Sequence, residues 1–231
     1  MVNIGKNFGK TTLKIYNNPE LCDYTIQFRS STLFICSSIV AVHSQVFECM
    51  FRVDMKEKKD KIINLDEDVN FEHIDLIFKY MHSGIFNFTT KNLVICTKLM
   101  HKYQIVGFDK IIKKIPSFID NDNCFDYLIH LQNADETTLK LLQFVFDTCI
   151  DYVVMNIKNN WIEAEHRQEK FLKLNSSLVK IILEDLNFHL NRTQMKNVTI
   201  LLLKCIAHNP ESYNYYFHIL PNLLEEKFSL K

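Results

Sequence analysis

The stretch "SIVAVHSQVFECMFRVDMKE", Ser38 to Glu57, decides how the first half of this chain is read. Its apolar residues Ile39, Val42, Val46, Phe47, Met50 and Phe51 recur at roughly the helical period, and Ser44 stands where a hydroxyl can cap the start of a second helix. Two short helices are therefore expected. The run then changes character. "FRVDMKEKKD", Phe51 to Asp60, is the most charged part of the chain, yet it holds Met55 two residues before Glu57. A solvated loop accounts for the charges but not for the thioether.

Working outward, "YTIQFRSSTLFICS" offers two β-rich runs, Tyr24 to Arg29 and Thr32 to Ser37, joined at a polar turn around Ser30 and Ser31, which reads as a hairpin. On the other side, "IINL" is a short strand candidate. "DVNFEHIDLIFKYMHSG" places Phe71, Ile74, Ile77, Phe78 and Met81 on one helical face that Gly84 terminates. "IFNFT" alternates like an edge strand, and "TKNLVICTKLMHKYQIVGFDKIIKKIPSFI" reads as two amphipathic helices broken near Gly107. From Asp120 onward the strand signal fades into helices at Cys124 to Gln132, Glu136 to Asn156, Ser176 to Leu186 and Thr193 to Ala207, with a tail around Tyr213 to Phe228; Pro210 and Pro221 separate the last of these. The expected fold is an α+β N-terminal half followed by an all-α half. With 231 residues and 47% hydrophobic content, two modest domains can each fill a core.

Charge and composition exclude several functions. The 27 basic and 27 acidic residues cancel, so no global field draws the chain to nucleic acid or anionic membrane, and a protein or small-molecule partner is expected. The charged run from Asp54 to Lys61 interleaves lysines with acids and lacks stacking aromatics, which makes it a poor nucleic-acid surface. No signal-peptide run or membrane-length apolar stretch appears. The seven cysteines form no C-x-x-C pair and are odd in number, which points to a reducing compartment, cytosol or nucleus, rather than a disulfide framework. The sequons at Asn87, Asn175, Asn191 and Asn197 are then accidents of an Asn-rich composition. "GKNFGKT", Gly5 to Thr11, has three residues rather than four between its glycines and no room for a preceding buried strand, so it is not a phosphate loop. No H-E-x-x-H or zinc spacing is present. His43 beside Ser44 diverges by about a quarter turn on a helix. The acid pairs Asp66/Asp68 and Glu184/Asp185 read as turn or helix-end residues that stabilise backbone donors. The expectation is a non-catalytic chain with no cofactor and no metal.

Four ordered motifs resemble a BTB (POZ) domain over Leu21 to Ile119: "LCDYTIQF"; the set Phe47, Met50, Phe51, Met55 and Glu57; "IDLIFKYMHSGIFNF"; and "NLVICTKLMHKYQIVGFDK". The helical half is similar to the BACK domain, through "NCFDYLIHLQNADETTLKLLQFVFDTCIDYV" and "FLKLNSSLVKIILEDLNF". The domains implied are an N-terminal arm at 1–20, BTB/POZ at 21–119 and a BACK-like region at 120–231. Proteins of this type usually continue into a Kelch propeller, whereas this chain stops at Lys231; short BTB-BACK chains of this composition resemble the Kelch-like proteins of poxviruses. Two segments depart from the pattern. Ile35, Cys36 and Ser37 replace the family's Ala-His-Arg, leaving Asp23 without its arginine, and Cys205 replaces a tryptophan.

The resemblance implies a dimeric adaptor that binds cullin-3 of a host cell and recruits a target to, or competes within, a cullin-RING ubiquitin ligase. The alternative is a dimerisation module that pairs with or blocks other BTB proteins without touching cullin. Met55 and Glu57 occupy the place of the family's cullin-contacting hydrophobic-x-Glu motif. Tyr103, Phe51, Phe125 and Leu128 are further cullin-facing candidates, and Phe8, Leu13, Ile15, Tyr16, Ile39 and Val42 are candidates for the dimer interface. The substrate stays unidentified, and the implied location is host cytoplasm or nucleus.

Overall fold

The computed structural model describes residues 2–3, 12–53, 56–159, 165–186 and 191–212. The chain divides into two compact units, Met1–Lys114 and Ile115–Lys231.

In the first unit, β1 (Val2–Asn3) pairs antiparallel with β5 (Ile85–Phe86), and a separate sheet has the order β3-β2-β4. β2 (Tyr24–Phe28) and β3 (Ser31–Ile35) form the expected hairpin, with Tyr24 opposite Ile35 and Phe28 opposite Ser31. Arg29 turns the corner at a φ of 53°, a left-handed conformation that a β-carbon disfavours; its guanidinium lies 5.2 Å from the Phe28 ring centroid and donates to the Glu67 carbonyl. The alternate residues Tyr24, Ile26, Phe28, Leu33 and Ile35 are buried, as a half-covered sheet demands. β4 (Ile62–Asn64) runs parallel to β2, a pairing that needs a long crossover. That crossover runs through β3 and then α1 (Ser37–His43), α2 (Gln45–Arg52) and α3 (Lys56–Asp60).

α4 (Phe71–Ser83) buries Ile74, Ile77, Phe78 and Met81 and ends at Gly84, whose φ of 67° lets its N–H reach the Tyr80 carbonyl at 2.7 Å. α5 (Leu93–Lys102) and α6 (Phe108–Ile112) are separated at Gly107, φ 83°, where a β-carbon would meet the Tyr80 hydroxyl at 3.4 Å.

Every described element of the second unit is helical. After a 3-10 turn at Ile115–Phe118 come α7 (Cys124–Leu131), α8 (Glu136–Leu141), α9 (Gln143–Lys158), α10 (Glu165–Leu172), α11 (Ser176–Leu186) and α12 (Arg192–His208), then a 3-10 turn at Pro210–Ser212. Val145, Cys149, Val153 and Ile157 repeat every fourth residue and form the buried stripe of α9. Asp135 caps α8 by accepting from Thr138 N–H, and Asn191 and Gln194 form a reciprocal capping box on α12.

Three expectations change. The single helix expected over Glu136 to Asn156 breaks at Leu142, whose φ and ψ of −101° and 11° leave the helical region. The polar segment Glu165–Leu172 folds as α10, held by ion pairs from Arg167 to Asp122 (2.8 Å) and from Lys170 to Asp126 (2.9 Å) and by the buried Phe171. Glu184 and Asp185 stand in the last turn of α11, so they do not meet the N–H donors of a helix start. The tail around Tyr213 to Phe228 lies outside the described residues.

Candidate functional site

Two short helices at an elbow carry the candidate surface. At the start of α1, Asp23 Oδ1 accepts the Ser37 N–H at 2.7 Å and Oδ2 accepts the Ser37 hydroxyl at 2.5 Å. Asp23 thus anchors a helix N-terminus, where a carboxylate is favoured by the dipole and the free N–H groups. At the elbow, Ser44 accepts from Phe47 N–H at 3.2 Å, capping α2 as expected, and donates to the Tyr103 carbonyl at 2.5 Å. The Val106 N–H donates to the His43 carbonyl at 2.8 Å. These bonds pin the α1-α2 joint to the segment between α5 and α6.

The pinning has a consequence at the surface. Val40 is fully enclosed on one side of α1, while Val42 is 75% exposed on the other and Val106 is 56% exposed. Both valines line a groove of about 520 Å³ with Ala41 and Phe51 as further apolar wall and Gln45, Glu48 and Arg52 at its edge. Glu48 and Arg52 pair at 2.8 Å one turn apart, which leaves the rim electrically balanced.

The remaining candidates divide. Phe51 is half-buried, its ring 4.6 Å from that of Tyr24 in an edge contact, and it still faces the groove. Ile39 is half-buried on α1. Leu13, Ile15 and Tyr16 are half-buried on their own unit: the Tyr16 hydroxyl donates to Asp75 Oδ1 at 2.6 Å, the Thr12 hydroxyl donates to the His82 carbonyl, and Leu13 lines a second groove of about 530 Å³ with Leu76 and Ile85. Tyr103 is a correction. Only 5% exposed, it stacks on Phe47 with centroids 4.8 Å apart and donates its hydroxyl to Glu67, which also accepts from Lys102 Nζ at 2.6 Å. Burial, reinforced by Glu67, pushes its phenol pKa well up, so it acts as a neutral core pillar rather than a partner-facing ring. Phe125 and Leu128 are corrected likewise: both are 0% exposed inside the helical unit, and side chains with no surface cannot add to a docking face. Met55 and Phe8 lie outside the described residues, and Glu57 falls in α3.

Behind the elbow, His82 is buried with both ring nitrogens engaged. Nε2 accepts the Cys36 N–H at 3.3 Å, and Nδ1 faces the Phe78 carbonyl at 2.8 Å. A carbonyl only accepts, so Nδ1 carries the proton and the ring is neutral. Burial, chiefly, lowers its pKa, and nearby His43 is also lowered by burial.

Sequence reasoning missed Val106 and the Asp23-Ser37 cap. The apolar pair Ile105-Val106 before a helix-breaking glycine was the available signal for the first; no local pattern marks the second. Among the described residues, no group of three or more His, Cys, Asp or Glu is placed to hold a metal ion, and no helix is long and apolar enough to cross a membrane. In a comparison with known families, residues 13–123 match the model described as the BTB/POZ domain.

Proposed function

On the premise that the chain carries a BTB/POZ domain, a fold generally used for protein-protein interaction and dimerisation, we propose that it is a dimeric adaptor that binds cullin-3 of a host cell and brings a target to, or competes within, a cullin-RING ubiquitin ligase. The observation that carries the reading is the α1 face, where Val42 and Val106 stand together in water beside the groove. Covering an aliphatic side chain contributes about 1.5–3 kcal/mol when it is complete. A two-fold partner using the same face would cover both valines on each subunit, with Ile39 adding to the contact, and Leu13 and Ile15 are further candidates for the interface.

Support for cullin comes from the segment that follows α2. Val53 is exposed there, and Met55-Lys56-Glu57 resembles the hydrophobic-x-Glu contact of cullin-binding relatives. An apolar anchor desolvated against a partner supplies affinity, and a flanking carboxylate sets orientation. Phe51 extends the same surface from the groove side. Two subunits would present two such sites and raise the effective concentration of ligase at a captured target. The BACK-like region is the candidate platform for that target, and cytoplasm, with nucleus as a second location, is the compartment this role requires.

Titration calorimetry of the chain with the N-terminal domain of cullin-3 tests the reading. Met55→Asp combined with Glu57→Lys should weaken binding by about 30-fold or more, the effect of losing a hot spot of about 2 kcal/mol, while light scattering still reports a dimer. Wild-type protein that ignores cullin-3 removes this reading. It would leave the second one, a dimerisation module that pairs with or blocks other BTB proteins, which the same α1 face favours because that face needs nothing from Met55. Exchange of subunits with a labelled BTB protein would then identify it.

A further inference from the structure

In the helical unit, Asp147 and Asp151 of α9 and Glu184 and Asp185 of α11 converge on one trough of about 470 Å³. Asp147 and Asp151 are one turn apart on α9, and Glu184 and Asp185 are neighbours in the last turn of α11, so each helix lends a pair of carboxylates as a rail. The floor between the rails is apolar, made by Phe146, Ile150 and Ile181, and Ile181 is 43% exposed.

Among the described residues, little balances these acids. Gln143 donates its amide to Asp147 at 2.7 Å, and Lys180 lies 3.6 Å from Glu184; Asp151 and Asp185 have no ion pair among the described residues. The arrangement opposes helix electrostatics twice. Like charges one turn apart repel, and the last turn of α11 carries two acids and no base where the dipole favours cations. The chain as a whole is neutral, so this field is local and reaches about 8 Å at physiological salt. A cationic ligand would relieve both oppositions. A bare cation would leave Ile181 wet, whereas a basic segment with an apolar residue at its centre matches floor and rails together.

We propose that the trough between α9 and α11 is a docking site for a basic segment of a partner protein, with an aliphatic side chain seated on Ile181 and lysines or arginines over the two carboxylate rails. The site stands independently of cullin binding, and it supplies what an adaptor needs, a second surface of different chemistry.

Fluorescence polarisation of the full chain with a labelled KKLLKRLK peptide tests it, alongside the same peptide with glutamate at every basic position. The basic peptide should bind saturably at about 50 mM salt and weaken about 10-fold at about 300 mM, while the acidic one stays unbound. Asp151→Asn with Asp185→Asn should lower affinity by about 10-fold, and Ile181→Ser by several-fold, because the apolar anchor loses its seat. Asp66→Asn with Asp109→Asn, exposed acids of the other unit, should change nothing. Thermal melts of all variants confirm folding. Absent binding, equal losses in the control pair, or full binding by the double variant in the trough would each overturn the proposal. So would a change in sedimentation of the unliganded Ile181→Ser protein, since a second copy would then be the occupant.

Discussion

The elbow of α1 and α2 and the trough of α9 and α11 are both grooves about 500 Å³ in size between short amphipathic helices, and they differ in what is left unpaired. At the elbow the charges cancel, with Glu48 against Arg52, and the unsatisfied component is apolar area on Val42 and Val106. In the trough an apolar floor is present, but the unsatisfied component is charge, four carboxylates of which, among the described residues, Glu184 alone has a lysine beside it. A balanced apolar face suits a copy of itself, because two-fold symmetry brings like against like and like charges would clash. An acidic face excludes a copy of itself and selects a partner of opposite sign. Similar helix packing therefore supports two different kinds of recognition.

The largest expected effect separates surface from core. Phe125→Ala should cost about 3–5 kcal/mol and Leu128→Ala about 2–5 kcal/mol of stability in urea unfolding, since each leaves a cavity in the helical unit. Loss of partner affinity at unchanged stability would return these residues to the docking face. Next is the elbow itself. Ser44→Ala removes both the α2 cap and the bond to the Tyr103 carbonyl and should cost about 1–2 kcal/mol, read from the same unfolding curves. Val42→Asp should alter subunit stability by less than about 0.5 kcal/mol, as surface substitutions do, while light scattering reports monomers. A persistent dimer would remove the α1 face from the comparison.

The smallest effect is a pH slope. His82 is neutral in the fold with a pKa below its ordinary value, so the unfolded chain binds the proton more readily. Its contribution is fully present above about pH 6.5 and is lost as the pH falls below that, because stability rises with pH wherever the unfolded state holds more protons. Urea midpoints at about pH 7.5 and 5.5 should differ more in wild type than in His82→Gln, where the His82 share of the slope is gone. His43, lowered in the same direction, contributes to both proteins and sets the residual slope.

Much of this was legible in short-range patterns. The hairpin, the Ser44 cap, the stop at Gly84 and the break at Gly107 depend on backbone rules that act over three or four residues, and the structure has each of them. Leu142 was not legible because its neighbours continue the helical period through the break. Tyr103, Phe125 and Leu128 were misread for one reason: an amphipathic pattern shows that a side chain belongs to an apolar face, without showing whether a neighbouring element covers that face. Val42 and Phe125 look alike on a helical wheel, yet one is 75% exposed and the other fully enclosed.

By itself the sequence determined the α+β half, the helical half and the local caps, because hydrophobic period and capping chemistry are encoded in adjacent residues. It also carried the motifs over Leu21 to Ile119 that resemble a BTB/POZ domain, the family whose model residues 13–123 match. Only the tertiary structure decided that Asp23 anchors α1, that Val106 joins Val42 beside one groove, and that Asp151 and Asp185 share a trough. Those outcomes depend on residues 14 or more positions apart being brought into one bond or one groove, and no local preference of the chain specifies such meetings.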